Sequence, residues 1–336
     1  MFPRNFSQPR TADKHRPAAG KLWLAGTAAL LFSMAAGILF GSVSLAPSEV
    51  WSALHGQASP GALSIVLDLR LPRVLMAAGA GSALALAGLS FQTVLRNPLA
   101  EPYILGISGG AAVGVLLAAL TGLSGWGSHI CAFLGGMLTL AFVWFWGGRC
   151  STTGLLLSGV MINAFCGALI LFLLSLLNPG EAGSVLFWFL GDLGGCSLSG
   201  ALLALALLIP GCLLLSCAGH GMNLLLLGEE TAQSLGVPVR ALTLAFLIVS
   251  SLMVSLVVAA VGPLGFVGLI VPQALRRVLG GDHRRLAPAS LLFGAAFMVL
   301  CDMCARCLPE QGELPVGVLT ALVGAPLFIL LLRKVS

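Results

Sequence analysis

The chain has 336 residues, of which 58% are hydrophobic and 9% charged, and its mean hydropathy is +1.03. Soluble domains carry about 25% charged residues, so this composition excludes a cytosolic enzyme. With 43 Gly, 17 Pro and a single Tyr, the chain is rich in what packed membrane helices use. Ten spans of ~20 residues would take up roughly 200 residues and leave no room for a separate soluble domain of ~100 residues. No G-x-x-x-x-G-K-[ST] loop is present, so any ATP must be hydrolysed by a partner. The nine Cys are odd in number and lie almost wholly in apolar runs, which reads as buried small hydrophobes and not a disulfide framework.

Residues 1–21 form a tail with Arg4, Arg10, Lys14, Arg16 and Lys21 against one acid, Asp13. The apolar run that follows, Leu22 to about Phe40, exceeds the roughly 7–15 residues of a signal core, so it is expected to remain as the first helix. Further apolar runs cover about 71–95, 104–121, 128–147, 155–177, 199–218, 239–261, 264–279, 287–307 and 315–332. The fold expected is therefore all-α and polytopic, with about ten spans in one transmembrane domain over 22–334 and both termini cytoplasmic. In the outer loop 178–198, Asn178-Pro179-Gly180 is expected to break a helix and 185–190 to form a short interfacial one. In the inner segment 219–238, a short free-standing helix is predicted over about 228–237: Gly228 sits near its N-cap, Glu229 and Glu230 in its first turn, Gly236 at its stop.

Alternation places the tail residues, Arg96, Arg149, Arg240, Arg276, Arg277, Arg284, Arg285, Arg333 and Lys334 inside, 14 of the 17 basic residues. This fits the positive-inside rule and accounts for the net charge of +5 without nucleic acid. Arg70, Arg73 and Arg306 are left outside.

Several ordered motifs resemble one family. Leu69-Arg70-Leu71-Pro72-Arg73, Arg96-Asn97-Pro98-Leu99-Ala100-Glu101-Pro102, Leu105-Gly106-Ile107-Ser108-Gly109-Gly110-Ala111, Gly262-Pro263-Leu264-Gly265-Phe266-Val267-Gly268, Gly281-Asp282-His283-Arg284-Arg285 and Glu313-Leu314-Pro315-Val316-Gly317 are similar to the FecCD-type permeases of ABC importers for iron-siderophore, haem and cobalamin. The resemblance covers about 44–334. Gln273 departs from it, standing where the family commonly has His.

The resemblance implies a type II importer permease fold and a subunit that pairs with a second permease, a homodimer being expected. It further implies two cytoplasmic ATPases, which would bind the ATP and Mg while this chain binds no cofactor, and a soluble periplasmic or lipid-anchored binding protein on the outer face. The location implied is the bacterial inner membrane. The cargo would be a ferric siderophore or similar bulky metal chelate, with cobalamin or haem as the alternative. Arg70, Arg73 and Arg306 would receive the binding protein's glutamates, a task that suits the bidentate arginine fork. For Arg306, an ion pair with Asp302 four residues earlier is the competing expectation. The short inner helix would be the coupling helix, with Glu229, Ala232, Leu235 and Gly236 as ATPase contacts; a helix lying idle on the membrane surface is the alternative. A cytoplasmic gate would involve Asn97, Pro98 and Leu99 with Thr152, Thr153 and Leu157, against which stands ordinary capping and loop geometry.

Other readings meet less support in the residues. The glycines at 106, 109, 110 and 114 open a membrane helix with no strand or Lys beside them, so they suit helix packing better than phosphate. Cys301, Cys304 and Cys307 recur at helical spacing without a His, as packing residues do. An ion-coupled secondary transporter normally needs ionisable residues within the membrane, where only Asp302 and Asp192 are candidates. No H-E-x-x-H or G-x-S-x-G motif supports an intramembrane enzyme. A faint repeat pairs Gln92 and Arg96 with Gln273 and Arg277.

Overall fold

The computed structural model describes residues 19–147, 152–309 and 312–333. The tail's Arg4, Arg10, Lys14 and Arg16, together with Arg149, Cys150, Ser151 and Lys334, lie outside them. Among the described residues every secondary-structure element is a helix, in the order α1 (Ala19–Leu39), α2 (Pro47–Leu54), α3 (Pro60–Leu63), a π-helical stretch (Ser64–Arg70), α4 (Leu71–Val94), a 3-10 turn (Pro102–Leu105), α5 (Ile107–Leu120), α6 (Trp126–Gly147), α7 (Thr152–Leu174), α8 (Pro179–Phe189), α9 (Leu198–Cys217), α10 (Gly219–Leu226), α11 (Glu229–Ser234), α12 (Val239–Val261), α13 (Val267–Leu279), α14 (His283–Cys307) and α15 (Val316–Arg333).

Among the described residues, seven helical stretches are long and apolar enough to cross a membrane. Of the three remaining predicted spans, α15 has about its expected length, while α5 with 14 residues and α13 with 13 are shorter than expected. At 1.5 Å per residue each reaches about 20 Å, short of the ~30 Å hydrocarbon core. The chain makes up the difference with non-helical backbone inside the bundle. After α4 it climbs through 95–106, and a Cβ on Gly106 would stand 3.2 Å from Ile162, halfway along α7.

The stretch between the first two predicted spans is itself helical: it holds α2 and α3, and the π stretch runs straight into α4, so Pro60–Val94 is one helix of 35 residues. Pro47 opens α2, with the Glu49 carboxylate accepting the Ala46 N–H at 2.9 Å. The chain breaks at Asn178-Pro179 as expected, between the end of α7 at Leu174 and the start of α8, and the short helix runs from 179 to 189, not 185–190. Proline at the first helical position costs no hydrogen bond there and presets φ.

The centre of the bundle is α4, buried along nearly its whole length. Its small residues allow backbones to meet. A Cβ on Gly81 would fall 2.2 Å from the Gly294 carbonyl of α14, and one on Gly88 would fall 1.9 Å from the Gly268 carbonyl of α13. Helices α5 and α6 meet the same way through Gly110 and Gly114, facing Gly135 and Cys131, which is the packing role expected for that glycine series. By contrast α7 leaves Leu157, Met161, Phe165 and Phe172 exposed, an apolar face that the chain itself does not cover.

Candidate functional site

Three features occupy defined depths of the bundle: an arginine recess at one end, a short exposed helix at the other, and a polar seam between. Thr93, at the far end of α4, bonds His283 and through it reaches α10. Arg70 and Arg73 stand at the start of α4, so the recess and the short helix lie at opposite ends.

At the recess, the structure brings Arg70, Arg73 and Arg306 together around a cavity of about 170 Å³ that Glu313, Gly41, Ser42 and Val43 also line. All three side chains are buried among their partners. Arg70 donates to the carbonyls of Ile38 at 2.9 Å, Leu39 at 2.8 Å and Val43. Arg306 donates to the carbonyls of Gly37 at 2.9 Å and Phe40 at 3.3 Å. Its Nε lies 3.0 Å from Asp302 Oδ2, off line for a hydrogen bond but a close ion pair, which is the local pairing that the four-residue spacing allows. Arg73 donates through Nε and Nη2 to Asp302 Oδ1 at 3.3 and 3.1 Å and through Nη1 to Glu313. The cause is solvation: a guanidinium placed at a helix end inside an apolar bundle must find acceptors or leave charge unpaired. Carbonyls freed where α1 ends supply them.

At the opposite end, α11 spans six residues, with Gly236 in the left-handed region at φ 77 closing it. Glu229, Glu230, Leu235 and Gly236 are exposed. Ala232 is fully buried against the bundle, which corrects its assignment as a contact residue: it faces inward as the anchor of α11, and Leu235, beyond the last helical residue, faces away. The neighbouring α10 is tied to the bundle through Asn223. Its Nδ2 donates to Asp282 Oδ1 at 2.7 Å, and its Oδ1 accepts from the His283 N–H at 2.9 Å and from His283 Nδ1 at 3.0 Å. An amide oxygen only accepts, so His283 carries its proton on Nδ1, and Nε2 meets Thr93 Oγ1 at 3.2 Å. Burial works against charge on Asp282, yet bonds from Asn223 and the Arg284 N–H, with the charges of Arg285 and Arg284, hold its carboxyl below the usual carboxylate range. Arg96, Arg240, Arg276, Arg277, Arg284 and Arg285 all lie at or beside helix ends on this side.

The seam joins the 95–106 climb to the break between α12 and α13. Gln273 donates to Gln92 Oε1 at 3.3 Å and to the Pro98 carbonyl, and Gln92 Nε2 donates to the Gly268 carbonyl at 3.2 Å. The two glutamines of the faint repeat thus meet in space. Tyr103 Oη donates to the Leu264 carbonyl at 2.9 Å and accepts its N–H at 2.6 Å. The Glu101 carboxylate accepts the Phe266 N–H. Phe266 has φ 68, strained for a bulky side chain and held only because its surroundings over-determine it. Asn97 Oδ1 accepts the Leu99 N–H at 3.0 Å, so Asn97 and Pro98 build the loop while Leu99 is exposed. Thr152 and Thr153 open α7 and Leu157 is on its exposed face.

Glu101, Tyr103, Asn223 and Glu313 escaped the sequence reading as site residues. For Glu101 a signal existed: a carboxylate between two predicted spans, directly before a proline. The partners of the other three lie far away in the chain.

Residues 29–334 match the FecCD transport family. The chain is 36% identical over 329 residues to the uncharacterized ABC transporter permease protein YvrB of Bacillus subtilis, covering 93% of each. It is 37% identical over 317 residues to the vitamin B12 import system permease protein BtuC of Citrobacter koseri, covering 93% of this chain and 94% of that one. Among solved structures, one described as an inward-facing conformation of a transporter of metal-chelate type superposes with a TM-score of 0.84 at 32% identity, over 94% of this chain and 100% of that chain. PsaBC from Streptococcus pneumoniae shares the fold with a TM-score of 0.55 at 17% identity, over 84% of this chain and 95% of that chain. With a matched model over nearly the whole chain, an all-helical multi-pass bundle and relatives that are permease proteins of ABC transport and import systems, the chain belongs to the FecCD transport family and is the non-enzymatic membrane permease of an ABC importer.

Proposed function

We propose that this permease moves a bulky metal chelate across the bacterial inner membrane, as a homodimer with two cytoplasmic ATPases and a soluble binding protein. Its similarity to vitamin B12 permeases supports a corrinoid cargo, and its resemblance to iron-siderophore permeases supports a ferric siderophore. The observation that carries the assembly reading is α11, a six-residue helix whose acids and Leu235 stand exposed while Asn223 ties the preceding helix to α4 through His283. A rigid short element attached in this way tilts the spans when an ATPase pushes on it. In this reading α11 is the coupling helix, with Glu229, Leu235 and Gly236 on the ATPase. The basic end carrying α11 is cytoplasmic by the positive-inside rule, and the arginine recess faces the binding protein.

The gate reading follows the seam. Leu99 and Leu157 are exposed apolar side chains, fit to close a path between two copies, and the loop bearing Leu99 hangs from Gln273 and Glu101.

Reconstitution tests this reading. Proteoliposomes holding the permease, its ATPase and its binding protein should take up radiolabelled cyanocobalamin or a ferric siderophore only with ATP inside. Uptake driven by a proton gradient without ATP would sink the importer assembly, and failure with both chelates under ATP would sink the cargo.

A further inference from the structure

The recess holds three arginines and two acids, and the acids are not equivalent. Asp302 is fully buried and shared between Arg73 and Arg306. Glu313 pairs with Arg73 alone, through Nη1, and its side chain is 37% exposed. It comes from the connection between α14 and α15, whose described part near the recess is pinned by the Leu314 N–H on the Ala305 carbonyl at 3.1 Å. Arg70 and the Nη groups of Arg306 are occupied by backbone carbonyls, which cannot leave without unwinding the end of α1. Arg73 Nη1 is therefore the position where a carboxylate is replaceable. The cavity beside it, about 170 Å³, exceeds the ~30 Å³ of liquid that one water occupies several-fold, space for the end of an acidic side chain.

We propose that Glu313 is an internal stand-in for a partner's carboxylate: docking of the binding protein exchanges Glu313 for an acidic side chain on Arg73 and frees the segment ahead of α15. The inference rests on the docking reading above. The exchange is near even in energy, since one charge-assisted bond to Arg73 replaces another, and the displaced Glu313 passes into water that it already touches. It also gives docking a consequence inside the bundle, because the released connection leads directly into α15. Without Glu313 the recess would hold three positive charges against one negative, and an incoming carboxylate would meet no competitor.

The test uses full-length permease in nanodiscs with its ATPase, titrated with its own binding protein by surface plasmon resonance. Glu313→Gln should tighten docking about tenfold, a change of ~1.4 kcal/mol, and Glu313→Asp, which keeps the charge with a shorter reach, should tighten it less. Arg73→Gln should loosen docking, and adding Glu313→Gln to it should change nothing further. In the wild type, docking should raise amide exchange at Leu314. Glu313→Gln and Glu313→Asp that dock unchanged or more weakly, while Arg73→Gln loosens docking, overturn the exchange and leave the docking reading standing. Arg73→Gln that docks like the wild type overturns the docking reading itself.

Discussion

Gln273 on α13 donates to Gln92 on α4 at 3.3 Å, and the same amide nitrogen reaches the Pro98 carbonyl. One side chain thus joins the central helix, the broken helix and the loop that carries Leu99. Replacing it with Leu strands the Pro98 carbonyl in the bundle and leaves Gln92 Oε1 only the long bond from Arg276 Nη2 at 3.4 Å. A buried unsatisfied polar group costs about 1–3 kcal/mol, so Gln273→Leu should lower the unfolding temperature in detergent. Gln273→His restores a ring N–H donor at that place and should recover most of the loss. Equal stability of the Leu variant and the wild type would remove the seam's structural role.

Asp302 is the shared counter-ion of Arg73 and Arg306. Removing one partner of a buried ion pair costs about 3–5 kcal/mol. Asp302→Asn should therefore abolish stable expression or lower the melting temperature steeply, more than Glu313→Gln, whose carboxylate is part-solvated. Thermal scans of the two variants give the comparison, and the opposite order would contradict it.

Gly114 has no space for a side chain: an added Cβ would sit 2.1 Å from the Cys131 carbonyl. Gly167 on α7 has nothing within 4 Å. Gly114→Ala must push α5 from α6, with an overpacking cost of about 1–3 kcal/mol, whereas Gly167→Ala should stay within about 0.5 kcal/mol of the wild type. Melting curves of both variants under one condition decide it.

Leu235 and Ala232 separate coupling from folding. Leu235→Arg changes an exposed residue and should leave the permease folded while ATPase co-purification is lost. Ala232→Trp has no room at a fully buried position and should damage the fold itself. Full ATPase retention by Leu235→Arg would remove this residue from the contact.

Asp282 predicts a pH dependence at the α11 end. Its carboxyl titrates lower in the folded chain than in the unfolded one, so its contribution is complete above the unfolded value of about 3.9 and is lost as pH falls through the lower folded value. Amide exchange of α10 should speed up in that acid window, and Asp282→Asn should flatten the change. An Asn variant with the same acid-dependent acceleration would assign it to another group.

What the sequence made readable follows from locality. Hydropathy marked the helices, alternation of loops separated Arg70, Arg73 and Arg306 from the other basic residues, and the four-residue spacing of Asp302 and Arg306 made their pairing visible. Glu313 pairs with an arginine 240 residues away, and Glu101 holds an N–H 165 residues on; no local pattern encodes either partner. The direction of Ala232 was misread because a two-turn helix has no long apolar stripe to fix its inward face. The short α5 was extended on paper because the 3-10 turn before it is as apolar as a span.

The phenol that grips Leu264 from both sides belongs to the chain's single tyrosine, Tyr103. A fluorinated tyrosine incorporated during expression would therefore give one ¹⁹F resonance for the entire permease, stationed at the joint between the climbing loop and the broken helix. The chain carries its own single-site reporter, and a transport cycle followed through that line would be timed where the 95–106 loop meets the break between α12 and α13, with no cysteine labelling among nine native thiols.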